Sequence, residues 1–237
     1  MIHLLVNATV LTQDDSLPVA QALAVKDGRI VEVGGTDEIP WLREDDYELI
    51  DLEGRTVVPG FWTPTTTSRS APSRCSGPTA ARPTASRTCN ACSGGPRPRP
   101  RPANGFWDHG GRPPAPDLML RPFATARAAG LRQAFSSDFP CGENAPLLGI
   151  QAAVTRRSRL GEPAGLEEAL PVEAALRAYT LDAAGAAGLE DRGSLVSGKR
   201  ADFLVLSADP LESLPEAIKD LRVLQTWVAG RPILVQP

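Results

Sequence analysis

Apolar and polar positions follow three regimes along the chain. From Ile2 to Leu11, apolar β-forming residues cluster. Residues 21–33 (QALAVKDGRIVEV) read as two strands about the turn dipeptide Asp27-Gly28. Residues 49–58 repeat that hairpin pattern about Glu53-Gly54, and Pro59-Gly60 ends the segment. From Asp117 the spacing becomes helical. The stretch LRPFATARAAGL predicts a helix with Gly130 at its C-terminal cap. LRQAFSSDFP predicts a strand running into a polar turn. Helical spacing returns at Leu147, Leu148, Ile150 and Val154. Residues 171–187 form the clearest helix: Pro171 suits its first position, Glu173 its first turn, and Gly188 follows its end. Val172, Leu176 and Tyr179 then share one face. After Gly193 the pattern is β again: Leu195, 201–207, and 221–235 about the turn Ala229-Gly230. A short helical connector covers 213–220.

Between these regimes, residues 63–107 contain no Asp, Glu, Lys, Val, Ile, Leu or Met. A stretch without aliphatic branched side chains cannot contribute a core, so disorder is the physical expectation. The β segments at the two ends are far apart in sequence and can form one small unit around an inserted one. The chain has 237 residues, formal net charge −3, two histidines and four cysteines. Near-neutral charge gives no reason to expect nucleic acid or a membrane surface as partner. No apolar run is long enough to span a bilayer, and the N-terminus lacks the basic and small-residue marks of a signal peptide. Four clustered cysteines do not make a disulfide framework. A cytoplasmic protein is expected.

Several motifs carry a resemblance. The opening NATVLTQDD, ALAVKDGRIVEVG and IDLEGRTVVPGF, with the closing GSLVSGKRADFLVLSADPL and VLQTWVAGRPIL, resembles the two ends of the amidohydrolase superfamily of metal-dependent hydrolases. RPFATARAAGLRQAFSSDFPCGENAPLLGIQAAVTRR and PVEAALRAYTLDAAGAAGLEDRGSL are similar to the branch called amidohydrolase family 3. The resemblance covers roughly residues 1–61 and 118–237. It implies an α/β fold: a β-sandwich built from both end segments, with a TIM-type (β/α) barrel inserted between them. It also implies a divalent metal, zinc, held by a His-x-His pair after barrel strand 1, by later ligands, and by an Asp ending strand 8. The metal activates a water, which attacks a carbon–nitrogen bond of a small-molecule substrate. Asp138, in SSDFP, matches that Asp, which implies a proton acceptor and metal ligand. By itself it also reads as a turn or helix-capping carboxylate.

The other ligands are missing. Where the family has Asp-x-His-x-His after PGF, this chain has Thr63-Pro64-Thr65-Thr66-Thr67-Ser68. Threonine does not replace an imidazole ligand. GC-rich codons for GFVDAHHHL (GGC TTC GTG GAC GCC CAC CAC CAC CTC) that lose the G opening the Val codon, with a G following, translate as GFWTPTTTS. That is the sequence at 60–68. We therefore expect roughly residues 62–104 to be frameshifted, with the frame returning near Gly105–Gly110; a true Pro/Arg-rich linker is the alternative. A complete TIM barrel takes about 250 residues, whereas roughly 130 positions separate the two β ends, so strands 2–7 are expected to be absent.

The expected organisation is a composite β-sandwich from 1–61 and 191–237, a low-complexity or frameshifted 62–116, and a barrel remnant at 117–190. The expected function is that of an amidohydrolase acting on non-peptide carbon–nitrogen bonds, inactive and without bound zinc in this chain. The alternative is a non-catalytic remnant or binding module. The remaining chemistry-bearing residues have plain readings. Cys89 and Cys92 form a lone CxxC that Cys75 and Cys141 do not complete, and Cys141 reads as a neutral thiol. His109 reads as a turn residue and His3 as part of a strand. The run Pro96–Arg101 does not read as a functional polyproline ligand, and Gly198-Lys199 reads as a turn between strands.

Overall fold

The computed structural model describes residues 1–38, 47–64, 122–137, 139, 143–158 and 160–234. It is a mixed α/β fold. The N-terminal part supplies β1 (Ile2–Val6), β2 (Thr9–Leu11), β3 (Val19–Ala20), β4 (Ala22–Lys26), β5 (Arg29–Gly34), β6 (Tyr47–Asp51) and β7 (Thr56–Pro59). Four α-helices follow among the described residues: α1 (Phe123–Ala128), α2 (Pro146–Thr155), α3 (Val172–Tyr179) and α4 (Leu181–Ala186). The chain then returns to strands β8 (Phe203–Leu206), β9 (Val223–Val228) and β10 (Arg231–Leu234). A 3-10 turn at Pro215–Asp220 occupies the expected connector.

The strands form two sheets, ordered β5-β4-β1-β6 and β10-β9-β8-β7-β2-β3. The second sheet joins the two ends of the chain, because β7 pairs antiparallel with β8 from Thr56↔Leu206 to Pro59↔Phe203. Further bonds stitch residues 195–202 to the N-terminal part. Leu195 N–H donates to Thr12 O (2.8 Å), Ile30 N–H to Lys199 O (2.8 Å), and Gly60 N–H to Asp202 O (2.9 Å). The tips of two hairpins also press together. Gly28 and Gly230 both have positive φ, and a Cβ on Gly28 would lie 2.9 Å from Ala229 O. A Cβ on Gly230 would lie 2.7 Å from Val25 Cγ1. Glycine therefore satisfies both the turn geometry and the close approach there.

Leu5, Leu23, Val25 and Ile30 of the first sheet share a buried cluster with Val10, Val57, Phe203, Val205 and Trp227 of the second. Within it the Phe203 and Trp227 rings stack at 5.1 Å. The opposite face of the six-stranded sheet, through Leu11, Val58, Leu204 and Leu206, packs on Leu147, Ile150, Leu176 and Tyr179 of α2 and α3. Each such side chain removed from water contributes on the order of 1.5–3 kcal/mol, so this is the main tie between helices and sheet.

Three expectations are corrected. First, Glu53-Gly54 does adopt the left-handed pair of conformations of a hairpin turn (φ 53° and 79°), but β6 and β7 do not pair. β6 runs parallel to β1 and β7 parallel to β2, so both strand pairs cross together from one sheet to the other. The turn is held by Leu52 N–H on Val6 O and Gly54 N–H on Asn7 O. Second, residues 171–187 are two helices, with Pro171 the N-cap of the first and a break at Thr180 (φ −117°, ψ −93°). The cause is competition for carbonyls. An unbroken helix would use Ala178 O and Tyr179 O for its own next turn. Here they accept Phe135 N–H and Trp62 N–H instead, each at 2.8 Å. Third, residues 131–137 are not a strand, since Phe135 N–H goes to that helix carbonyl and no ladder forms among the described residues. The expected cap at Gly130 is present: Leu131 N–H reaches Ala126 O and Gly130 N–H reaches Arg127 O. Among the described residues there is no closed barrel, and no helix is long and apolar enough to cross a membrane.

Candidate functional site

The segments that flank the expected site converge on α3. Trp62 and Phe135 bond to consecutive carbonyls of its last turn. Their neighbours form an aromatic group. The Tyr179 ring meets Phe61 edge-on at 6.4 Å and Phe135 at 5.6 Å, and Phe135 lies 4.7 Å from Phe123. Tyr179 is buried, with its hydroxyl against Gly149 of α2. Trp62 lies under the Arg192 guanidinium at 5.3 Å, a cation–π arrangement. Residues 61–64 and 131–137 are thus held to the same helix end by neutral hydrogen bonds and ring contacts.

Asp138 itself lies outside the described residues, as do Thr65–Ser68, His109, Cys75, Cys89, Cys92, Cys141 and the run Pro96–Arg101. Beside it in sequence, the Ser137 hydroxyl lies 3.5 Å from Asn144 Oδ1, and Phe139 is exposed. His3 belongs to the sheets. Its Nδ1 is 3.0 Å from Glu48 Oε2, and its ring meets Trp227 edge-on at 5.5 Å. This is the far side of the six-stranded sheet from α2 and α3. Gly198-Lys199 forms a turn, with Gly198 at φ 87° and Lys199 N–H on Val196 O.

The residues present do not fit the family's metal. In the described part of the strand-1 segment, Trp62 is followed by Thr63 and Pro64, neither an imidazole nor a carboxylate. Among the described residues, no three of His, Cys, Asp or Glu stand together as a metal would need.

Other charged groups are placed structurally, and little in the local pattern announces them. Asp202 is buried just before β8 and accepts Ala229 N–H (2.7 Å), Arg200 Nε (3.0 Å) and Arg192 Nη1 (3.4 Å). It pins the β9–β10 turn to β8; the signal was an aspartate placed directly before an apolar strand. Arg156 is fully buried in left-handed conformation at the end of α2. Its Nε donates to Gly165 O (3.0 Å), and its guanidinium lies 5.1 Å from the Phe123 ring. Glu168, also buried, accepts the Thr125 N–H (2.8 Å) and hydroxyl. Those Thr125 hydrogen bonds hold its carboxyl below the usual glutamate range, with Arg156 adding attraction. This cluster fixes α1 against the turn at Leu166–Glu168.

A cleft of about 280 Å³ opens between the β2–β3 loop, α1 and α3, lined by Asp14, Asp15, Arg127, Glu173, Arg177 and Asp182 among others. Burial pushes the Asp182 carboxyl up, against the pull of Arg177 and Arg132. Arg177 already spans Asp15 (3.1 Å) and Asp182 (3.8 Å). Arg177 thus engages two of the cleft's carboxylates, and the named lining includes no paired nucleophile and base.

Comparison with known proteins agrees with the motifs. Residues 95–234, well over half of the chain, match the profile described as "Amidohydrolase family", third branch. The chain is 39% identical over 114 residues to N-substituted formamide deformylase of Arthrobacter pascens; the match covers 48% of this chain and 21% of that protein. The chain therefore spans about a fifth of that relative's length. An amidohydrolase from Thermotoga maritima superposes with a TM-score of 0.59 at 14% identity, covering 99% of this chain and 100% of that one. A crystal structure of enamidase, described as a member of the amidohydrolase superfamily, gives 0.55 at 14% identity over 99% and 96% of the two chains. At such identity the two structures speak for the fold alone. The matched family profile, the order of the motifs and the fold together place this chain in the amidohydrolase family, family 3 branch.

Proposed function

We propose that the chain descends from metal-dependent hydrolases of non-peptide carbon–nitrogen bonds in small molecules and keeps part of their scaffold without their activity. The observation that carries this is the residue content after Phe61. Trp62-Thr63-Pro64-Thr65-Thr66-Thr67 stands where the lineage needs a carboxylate and two imidazoles. A single carboxylate, Asp138, matches the lineage's proton acceptor and metal ligand, and one carboxylate does not hold zinc in an open catalytic site. The name of the Arthrobacter relative, an N-substituted formamide deformylase, supports the carbon–nitrogen chemistry of the lineage.

In this reading, residues 1–61 and 191–237 are the composite β-sandwich, supported by the β7–β8 pairing and the core shared between sheets. Residues 117–190 are the last part of a (β/α) barrel, and within the low-complexity 62–116 roughly 62–104 are the out-of-frame stretch. The protein is cytoplasmic, and neither nucleic acid nor a membrane is its partner. The test is hydrolysis of N-substituted formamides by the full chain with added zinc. The expected result is the background rate, equal for the chain and for Asp138→Asn. Turnover above background that Asp138→Asn abolishes would overturn the proposal.

A further inference from the structure

We infer that α3, and not a metal ion, holds the two segments that flank the family's active site, so that the fold is indifferent to divalent metal. The inference rests on the proposed function for the incomplete ligand set, and on the structure for what takes the metal's place.

In a metal site, ligands from separate strands are tied together by the ion, and binding free energy becomes folding free energy. Here the tie is made otherwise. Trp62 N–H and Phe135 N–H, 73 residues apart, donate to the adjacent carbonyls Tyr179 O and Ala178 O, each at 2.8 Å. Phe61, Phe135 and Tyr179 then close on one another through edge-on ring contacts. Trp62 is held from its other side by Arg192, whose guanidinium is itself fixed by Asp202. These contacts are satisfied by main-chain groups, aromatic rings and the chain's own Arg192, and require no metal ion. They also explain the break at Thr180, since α3 gives up two carbonyls to make them. The helix thus loses continuity where the flanking segments gain anchorage.

A ligand stabilises a fold only if the native state binds it, by RT ln(1 + [L]/Kd). With no native site, zinc has nothing to add and a chelator nothing to remove. The experiment is thermal unfolding of the full chain, followed by far-ultraviolet circular dichroism, in buffer, in EDTA and across a zinc chloride titration. The expected result is the same transition in buffer and EDTA, with no saturable rise in zinc. Phe135→Ala, which removes ring contacts from the anchor, lowers the transition equally in all three solutions. A transition lowered by EDTA, or raised saturably by zinc, would overturn the inference, and loss of that rise in Asp138→Asn would locate the site. Zinc stabilisation without hydrolysis overturns this inference and leaves the proposed function standing. Hydrolysis with a metal-independent transition does the reverse.

Discussion

Replacing Gly149 by alanine sets two opposed effects against each other, and the structure says which wins. Gly149 lies in the middle of α2 without a positive φ. Helix propensity alone makes Gly149→Ala stabilising by about 1 kcal/mol. A Cβ at this position, however, would lie 2.1 Å from the Tyr179 hydroxyl oxygen, 2.8 Å from Cζ and 3.0 Å from Cε2. Ordinary contact begins near 3.4 Å, so the ring must retreat by more than an ångström. It has little room. Tyr179 is 4% exposed, its ring abuts Phe61 and Phe135, and its carbonyl is bonded to Trp62. Overpacking of this kind costs about 1–3 kcal/mol, and here the upper part of that range applies because the neighbours are themselves packed. The net expectation is destabilisation by about 1–2 kcal/mol, read as a lower urea midpoint with an unchanged slope. A double-mutant cycle isolates the contact. In the Tyr179→Phe background the oxygen is gone, so Gly149→Ala must cost clearly less there. A raised midpoint for Gly149→Ala, or a cycle with no coupling, would refute the packing described for α2 on α3.

Three further outcomes follow from other parts of the structure. Asp202→Ala leaves the part-buried Ala229 N–H and Arg200 without this acceptor and Arg192 with Asp191 alone, and lowers stability by about 1–3 kcal/mol in the same urea assay; a loss of a few tenths would show that the pin does not hold the β9–β10 turn. Glu168 has a depressed carboxyl pKa in the folded chain, so its contribution is present above its ordinary value of 4.5 and fades as pH falls through that value toward the folded one. Glu168→Gln is therefore less stable at neutral pH and flatter below pH 4.5, and an unchanged acid limb in pH-dependent unfolding would contradict the assignment. In the gene, the frame one base earlier over codons 63–68 reads Asp-Ala-His-His-His-Leu and stays open to about codon 104, as the codon arithmetic requires; a stop codon inside that span would dismiss the frameshift in favour of a true linker.

The sequence announced the hairpin about Asp27-Gly28, the C-terminal β return and the Gly130 cap because each depends on neighbours a few residues away. The turn at Glu53-Gly54 was visible for the same reason. The destination of its strands was not, since that depends on Val6 and Asn7, more than forty residues distant. The break at Thr180 was hidden for a like reason. The pattern of Val172, Leu176 and Tyr179 is continuous, and what interrupts the helix is a pair of N–H groups from Trp62 and Phe135. Nothing in the local pattern singles out Arg156 or Glu168, and only the approach of α1 makes them a buried cluster.

Elemental analysis of the purified full chain, grown with ample zinc and passed through gel filtration, reads out whether a working metal site exists. A scaffold without its ligand set carries zinc far below one equivalent per chain, unchanged by Asp138→Asn. Stoichiometric zinc that survives gel filtration and falls on Asp138→Asn would contradict the account.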